Sequence, residues 1–221
     1  MMIELSSTPI ILMVILGVAG MIIPVINVIR KERGSSTFYG IIAFSALLLA
    51  LGFVMFQFYA DNLAPAAIFS EDVLVDDGFG SFFAIAMLIV SIMTVAGSFN
   101  YMRKKSNPAI YFSLILLSTI GMVLIAFSTD LVMLFVAWEL MSIPTYILAG
   151  FNKKNPASNE AAIKYFLFGA LSSGIIIYGI SLAYGITGST NIGDVIVGFS
   201  NLSPDMLPLG LLAIGMFIAG F

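Results

Sequence analysis

A carboxylate interrupts an otherwise apolar stretch of the chain. The segment LFVAWELMSIPTYILAG, residues 134–150, is long enough to lie within a lipid bilayer, and Glu139 stands near its middle. A charge at that depth costs about 2.5–3.5 kcal/mol on membrane-insertion scales. Glu139 therefore needs a polar partner, cavity water or a proton, and such a group typically marks a pathway for ions or protons. The alternative is a neutral acid that only holds helices together.

Three further residues of this segment favour a polar, hydrated interior over a purely lipid-facing helix. Ser142 and Tyr146 follow Glu139 by three and seven positions, so they share its helix face. Pro144 has no amide hydrogen and leaves the carbonyl of Leu140 without its intrahelical donor. In a bilayer that carbonyl must accept a hydrogen bond from a nearby hydroxyl, another helix or water.

Lys164 is the second candidate proton carrier, because it lies inside a later apolar run, NEAAIKYFLFGALSSGIIIYGISLAYG. At the helical rise, Lys164 lies roughly 8 Å from the Asn159 end of this run, and Glu139 lies roughly 16 Å from the same side of the membrane. A direct ion pair would require the lysine side chain to extend toward the centre, and a water-bridged pair fits equally well. Alternatively, Lys164 snorkels to the membrane surface.

The elements that position these residues are predicted to be membrane-spanning helices. The chain has 221 residues, of which 60% are hydrophobic and 10% charged, and its mean hydropathy is +1.09. Apolar runs of about 20 residues suit helices, whereas barrel strands would alternate over about 10 residues. Pro156 and Ser158 are predicted to supply the first turn and the N-cap of the sixth helix. The predicted helices span residues 9–29, 38–59, 80–102, 109–128, 130–150 and 160–186, and a seventh begins near 206.

These elements predict an all-α, polytopic transmembrane helix bundle. We divide it into residues 1–128, with helices one to four, and residues 129–221, with helices five to seven. The last residues, GLLAIGMFIAGF, stop inside an apolar run. We therefore expect the sequence to be the N-terminal part of a longer protein.

Charged residues alternate between the predicted loops and so predict the orientation of the helices. Basic residues follow the first, third and fifth helices, whereas the other connections carry acidic residues and no Lys or Arg. The positive-inside rule then places the basic loops in the cytoplasm and the N-terminus outside. The basic residues are Arg30, Lys31, Arg33, Arg103, Lys104, Lys105, Lys153 and Lys154, and the acidic ones are Asp61, Glu71, Asp72, Asp76, Asp77, Asp130, Asp194 and Asp205.

Composition excludes several kinds of chemistry. The chain has no Cys and no His, so it offers no disulfide, no thiolate or imidazole metal ligand and no Ser-His or Cys-His catalysis. Any proton carrier in this chain must therefore be a carboxylate, a lysine, a tyrosine or water. Trp138 is interpreted as a packing aromatic. Small residues of the sixth helix are interpreted as positions that let helices approach closely, namely Gly169, Ala170, Ser173, Gly174 and Gly179.

Residues 130–192 resemble the antiporter-like membrane subunits of respiratory complex I, and among them subunit N most closely. The resemblance is carried by W-E-L-M-S-x-P-x-Y-I-L-A-G-F around Glu139, by S-N-E-A-A-I-K-Y-F around Lys164 and by Y-G-x-x-L-x-Y-G-x-T-G from Tyr178. It implies inverted helix repeats, each with a broken helix. It also implies that Glu139 modulates buried lysines, with Lys164 at the start of helix six and the principal lysine beyond Phe221.

The resemblance implies a proton-translocating subunit of an NAD(P)H or reduced-deazaflavin:quinone oxidoreductase. Proton relay would run through Glu139, Lys164 and water, supported by Ser142, Pro144 and Tyr146. No redox cofactor is expected in this chain, and flavin, iron-sulfur clusters and quinone would lie in partner subunits. The expected surroundings are other membrane subunits and lipid in the cell membrane, without nucleic acid. Two alternatives remain: a subunit of a cation/proton antiporter or membrane-bound hydrogenase, and a non-transporting scaffold.

Overall fold

The computed structural model describes residues 7–30, 35–60, 73–103 and 105–221, and these residues form helices joined by short connections. Within the described part, six helices are long and apolar enough to cross a membrane, which confirms the predicted helical bundle. The predicted charges at Lys31, Arg33, Asp61, Glu71, Asp72 and Lys104 lie outside the described residues. The helices are α1 Ser7–Ile29, α2 Ser36–Ala60, α3 Gly78–Met102, α4 Pro108–Phe127, α5 Leu131–Ala149, α6 Pro156–Thr187, α7 Ile192–Ser200 and α8 Leu207–Gly220.

Side-chain caps fix where α3, α5 and α6 begin. The side chain of Asp77 accepts from the amide of Gly80 at the start of α3, and that of Asp130 accepts from two amides at the start of α5. Asn155 caps α6 by accepting from Ala157 N at 3.0 Å. Each oxygen satisfies an amide that has no intrahelical acceptor.

The prediction for the start of α6 was wrong in two respects. The helix begins at Pro156, four positions before the predicted 160, and Asn155 is its N-cap. Ser158 instead donates to the carbonyl of Ala149 at 2.9 Å, which ties the first turn of α6 to the end of α5. Asn155 is the N-cap because Pro156 follows it. Proline suits the first helical position, since a backbone N–H there would have no intrahelical acceptor and its absence costs nothing.

The short helix α7 was not predicted. Its apolar side chains recur at helical spacing, at Ile192, Val195, Ile196 and Phe199. Asn191 caps it by accepting from Gly193 N at 2.9 Å. At 9 residues it is too short to span a bilayer, and a search for runs of about 20 apolar residues therefore passes over it.

Helix α4 is the centre of the bundle. It packs against α1, α2, α3 and α5. An apolar 18-residue stretch of α4 is 67% buried inside the protein, compared with 17–33% for the corresponding stretches of the other spans. Fully buried side chains of α1, α2 and α3, including Leu16, Leu47 and Leu88, form one core with Phe112 and Leu116 of α4. The first four helices thus form the compact part of the fold, α5 packs against α4, and α6 packs against α5 and α8.

Hydroxyl groups on α4 link it to three neighbouring helices. Ser113 donates to the carbonyl of Gly20 on α1 at 2.5 Å, and Thr119 donates to Ser91 on α3 at 2.9 Å. Ser118 donates to the carbonyl of Met141 on α5 at 3.1 Å. Hydroxyl bonds of this kind are typical of helix contacts in membranes, where apolar burial alone gives little preference for protein over lipid.

Glycine on α4 brings α5 unusually near. A Cβ placed on Gly121 would lie 2.3 Å from the backbone nitrogen of Met141 and 2.6 Å from the carbonyl oxygen of Ala137. Only a residue without a side chain fits such an approach of two backbones. Gly121 therefore sets the position of the helix that carries Glu139.

The two ends of the bundle differ in charge. Arg30, Arg103, Lys105, Lys153 and Lys154 lie at the ends of α1, α3 and α5, which we call the basic end. The opposite, acidic end carries Asp76, Asp77, Asp130 and Asp194.

The connections at the acidic end are bonded to one another through their backbones. Val75 N donates to Phe127 O at 2.9 Å, Leu131 N to Thr190 O at 2.8 Å and Ile192 N to Thr129 O at 2.9 Å. The link between Thr190 Oγ1 and Asp130 Oδ2, at 2.5 Å, adds a side-chain bond. Three connections, α2–α3, α4–α5 and α6–α7, are therefore held together at this end.

Candidate functional site

Glu139 lies half-buried on α5 and has a direct partner on α6. The hydroxyl of Ser173 donates to Glu139 Oε1, across 34 positions of sequence. A hydroxyl donor stabilises a buried carboxylate, and a protonated carboxyl could equally donate to the same hydroxyl. The neighbouring helix α6 thus gives the Glu139 carboxyl group a polar contact within the apolar segment.

Ser173 is a residue of the site that the sequence reasoning missed, because it was interpreted as a small packing residue. A signal was present. Glu139 lies eleven positions before Gly150, and counting the same number into the next helix from Asn159 ends at Ala170, within one turn of Ser173. Since consecutive helices joined by a short turn run antiparallel, that count points to the depth at which a partner should lie.

Tyr146 occupies the α5–α6 contact on the basic side of Glu139. A Cβ placed on Gly169 would lie 2.1 Å from the Tyr146 hydroxyl oxygen and 2.6 Å from its Cζ atom. The ring of Tyr146 also meets the ring of Tyr165 edge-on, with centroids 4.9 Å apart. The end of the Tyr146 side chain therefore lies in the space that a side chain at position 169 would fill.

A series of hydroxyl groups continues from there toward the basic end. Thr145 Oγ1 lies 3.3 Å from the hydroxyl of Tyr165, which directly follows Lys164 in the chain. We call Ser173, Tyr146, Thr145 and Tyr165 the hydroxyl file. All four lie on the facing sides of α5 and α6, at depths between Glu139 and Lys164.

Lys164 itself does not contact Glu139. Its ammonium group lies 2.5 Å from Glu160, one turn earlier on the same helix, and the two side chains are 66% and 65% exposed. Ser173, the partner of Glu139, is nine positions further along α6, or about 14 Å along the helix axis. The structure therefore brings Lys164 to the outer turns of α6 and leaves Glu139 deeper, with the hydroxyl file between them.

Pro144 is buried, and hydroxyl groups surround the carbonyls that precede it. Ser142 donates to the carbonyl of Trp138 at 2.8 Å, and Thr145 donates to that of Ser142 at 2.7 Å. Ser118 also donates to the carbonyl of Met141. Three hydroxyl groups thus donate to carbonyls near the proline, and none of the three donates to the carbonyl of Leu140. The polar character expected around Pro144 is present, but the bonds fall on neighbouring carbonyls.

The C-terminal residues of the sequence lie next to the same site. The Trp138 ring meets the ring of Phe221 edge-on, with centroids 5.1 Å apart. A Cβ on Gly220 would lie 3.2 Å from both the carbonyl oxygen of Ser172 and the backbone nitrogen of Ile176. Residues 220 and 221 therefore lie beside the residues that flank Glu139 and Ser173.

Comparison with known proteins relates the second half of the chain to a membrane family. The family described as NADH:quinone oxidoreductase/Mrp antiporter, TM, matches residues 128–220. NADH-quinone oxidoreductase subunit N 1 of Solibacter usitatus is 36% identical over 206 residues, which cover 93% of this chain and 41% of that protein. F(420)H(2) dehydrogenase subunit N of Methanosarcina mazei is 36% identical over 154 residues, which cover 70% of this chain and 31% of that protein.

Solved structures agree with this relationship. A chain of respiratory complex I from Thermus thermophilus superposes with a TM-score of 0.73 at 26% identity, covering 95% of this chain and 42% of that one. The archaeal membrane-bound sulfane sulfur reductase gives a TM-score of 0.78 at 22% identity, covering 96% and 43%, and shows a shared fold. The chain spans about two fifths of the length of these relatives.

Proposed function

Because the chain belongs to the antiporter-like family of membrane subunits, a multi-pass membrane family, we propose that it is part of a proton-translocating subunit of a complex I-type oxidoreductase. The activity would belong to the whole assembly. This chain would contribute the proton path, and other membrane subunits would be its partners. The proposed orientation puts the basic end in the cytoplasm and the N-terminus outside, in the cell membrane, as the positive-inside rule favours.

One observation carries the proposal. Glu139, an acidic group well inside an apolar span, is bonded to Ser173 and followed toward the basic end by the hydroxyl file. Hydroxyl groups both donate and accept, so together with water they can pass a proton between ionisable groups. Lys164 would stand at the basic-end terminus of this path, where it exchanges protons with water, and Glu139 at its inner terminus.

Glu139 and Lys164 would influence each other through charge. Their charges would interact through the groups and the water between them, without direct contact. The separation of about 14 Å along α6 makes this a relay with intermediate groups. Ser142, Pro144 and Tyr146 would keep the α5 side of the path polar and fixed.

The redox chemistry would take place in partner subunits. The matched relatives are named for NADH:quinone and F(420)H(2) dehydrogenases, which supports NAD(P)H or a reduced deazaflavin as the electron donor and a quinone-type acceptor. Flavin, iron-sulfur clusters and quinone would be bound outside this chain. In this scheme electron transfer supplies the free energy and the membrane subunit converts it into proton movement.

A second candidate is a subunit of a multi-component cation/proton antiporter or of a membrane-bound hydrogenase. The name of the matched family includes the Mrp antiporter, so the family match supports both assemblies. The two candidates differ in what the purified complex does. Oxidation of NADH or a reduced deazaflavin by quinone supports the oxidoreductase, whereas sodium-dependent proton movement without electron transfer supports the antiporter.

The direct test replaces Glu139 by Gln in the assembled complex that contains the full-length chain. Proton pumping is measured in inverted vesicles, and electron transfer is measured in the same vesicles. We expect pumping to fall strongly while the complex still assembles and oxidises its donor. Asp205→Asn is the matched control, since Asp205 is an exposed carboxylate outside the hydroxyl file and its loss should leave pumping intact.

A result opposite to the proposal is equally clear. Normal pumping by an assembled Glu139→Gln complex would favour the scaffold alternative, in which Glu139 is neutral and structural. Infrared difference spectra during turnover provide an independent measurement. A carboxyl band that changes with turnover in the native protein and disappears in the variant supports relay, and the absence of any change contradicts it.

A further inference from the structure

A polar cavity lies at the basic end, and none of its lining residues belongs to the hydroxyl file. Its volume is about 540 Å³, and it lies where α1 and α3 end and α2 and α4 begin. Its lining is mainly polar and includes Asn27, Ser36, Thr37, Arg103, Lys105 and Asn107. No acidic side chain of the described residues lines it. The cavity therefore combines two cations with neutral hydrogen-bonding groups.

Two long helices point their N-termini at this cavity. α2 begins at Ser36 and α4 at Pro108, and both residues are part of the lining. Asn107 precedes α4 with φ 59° and makes no capping bond through its side chain. The first amides of α4 are thus without a side-chain cap, and helix N-termini attract anions through such amides and through the helix dipole.

Ser36 provides independent evidence for a ligand. The residue is 8% exposed, and its hydroxyl oxygen is buried without a hydrogen-bond partner among the described residues. A buried hydroxyl without a partner is costly, and native proteins seldom leave one unsatisfied. Ser36 lines the cavity, so an acceptor atom placed there would supply the missing bond.

The cations at the cavity suit an anion with several oxygens. Arg103 offers the forked donors that match phosphate oxygens, and Lys105 adds a second positive charge. Arg30 lies nearby, with its guanidinium 4.2 Å above the ring of Phe38 on α2. Since anionic lipid headgroups lie at the same level as the ends of membrane-spanning helices, basic pockets between helices are suited to hold them.

We propose that this cavity is a binding site for a phosphate group, supplied by the headgroup of an anionic phospholipid. Arg103 and Lys105 pair with the phosphate charge, the first amides of α4 donate to its oxygens, and the Ser36 hydroxyl completes its shell. Free inorganic phosphate has the same chemistry and is the other possible source. The site is independent of the proton path and would stabilise the packing of α1–α4 at the membrane surface.

The test measures lipid and phosphate binding by the assembled complex that contains the full-length chain. The complex is delipidated in detergent and titrated with phosphatidylglycerol, with neutral phosphatidylcholine for comparison, and binding is followed by native mass spectrometry. We expect Arg103→Gln with Lys105→Gln to weaken phosphatidylglycerol binding roughly thirtyfold. Ser36→Ala, which keeps both charges, should weaken it on the order of tenfold.

The matched control is Lys153→Gln with Lys154→Gln, an exposed basic pair at the same end that does not line the cavity. It removes the same charge and should leave the binding constant within about twofold. An equal loss in this control would overturn the proposal, because it would show general surface attraction. Unchanged binding in both Ser36→Ala and the Arg103 and Lys105 double variant would also overturn it.

The two sources of phosphate are separated by competition. Retention of phosphatidylglycerol in millimolar inorganic phosphate supports the lipid headgroup as the ligand. Displacement of the lipid, with inorganic phosphate binding that is lost in Ser36→Ala, supports a phosphate site filled from solution. If neither ligand binds the native complex, the proposal is refuted. Thermal stability of each variant in detergent confirms that weaker binding does not reflect unfolding.

Discussion

Gly169 offers a sharp test of the α5–α6 contact, through its replacement by Ala. The new Cβ would lie 2.1, 2.6 and 2.9 Å from Oη, Cζ and Cε1 of Tyr146. Since an ordinary carbon contact is about 3.5 Å or more, the end of the tyrosine must move by more than about 1 Å. Overpacking of this kind typically costs about 1–3 kcal/mol. Moving Tyr146 also disturbs its edge-on contact with Tyr165, which contributes about 0.5–1.5 kcal/mol.

Gly174→Ala on the same helix is the matched control, because a Cβ there would meet nothing within 4 Å. Both substitutions gain the same helix propensity, about 1 kcal/mol for Gly to Ala. The difference between them therefore isolates the overlap with Tyr146. Thermal unfolding of the purified complex measures stability, and inverted vesicles measure pumping relative to electron transfer.

We expect Gly169→Ala to be less stable than Gly174→Ala and to pump fewer protons per electron, because the hydroxyl file is displaced. Adding Tyr146→Leu to Gly169→Ala removes the clash without restoring the hydroxyl. The double variant should recover stability while its pumping stays low. Equal stability and equal pumping in Gly169→Ala and Gly174→Ala would refute the idea that Gly169 positions Tyr146.

Three further variants address other contacts, each through a different measurement. Ser173→Ala removes the donor to Glu139 and should lower pumping without slowing electron transfer, with Ser172→Ala as its neighbouring control; equal pumping in both would contradict a role for the hydroxyl. Gly121→Ala places a methyl group against the backbone of α5, so it should lower the free energy of unfolding by about 3 kcal/mol or more, the upper end of overpacking. It should therefore reduce the yield of assembled complex. Gly97→Ala is the control, because a Cβ there meets nothing within 4 Å, and it should leave the yield unchanged. Glu160→Gln breaks an exposed ion pair, so the free energy of unfolding, measured by thermal unfolding, should change by less than about 0.5 kcal/mol. A larger change would indicate that Lys164 and Glu160 are buried by a partner in the assembly.

The spans α1–α6 could be predicted from the sequence because each is a continuous apolar run bounded by polar residues. Such a run determines a helix almost independently of tertiary contacts, since a backbone in lipid must bond within its own segment. The start of α6 depends on competition between Asn155 and Ser158 for the same cap. The short α7 forms because one apolar face packs at the end of the bundle. A search for long continuous apolar runs does not detect such a face.

The candidate site was predictable in part. Glu139 is conspicuous because its cost in an apolar segment can be assessed from sequence alone. Ser173 is not, since a serine in a membrane helix serves close packing as readily as hydrogen bonding. The depth of Lys164 was estimated from helix ends, but its pairing with Glu160 follows from the helical spacing of four positions on α6. Partners on another helix depend on register, which single segments do not encode.

The backbone bonds at the acidic end determine which substitutions this part of the chain can tolerate. The amides of Val75, Leu131 and Ile192 donate to carbonyls of other connections, and every residue except proline has such an amide. These bonds therefore place no requirement on the identity of the side chains, although Val75 is constrained separately by its burial. Proline is the replacement that would remove each of these bonds, so its absence at the three positions across an alignment would record a constraint that comes from the backbone alone.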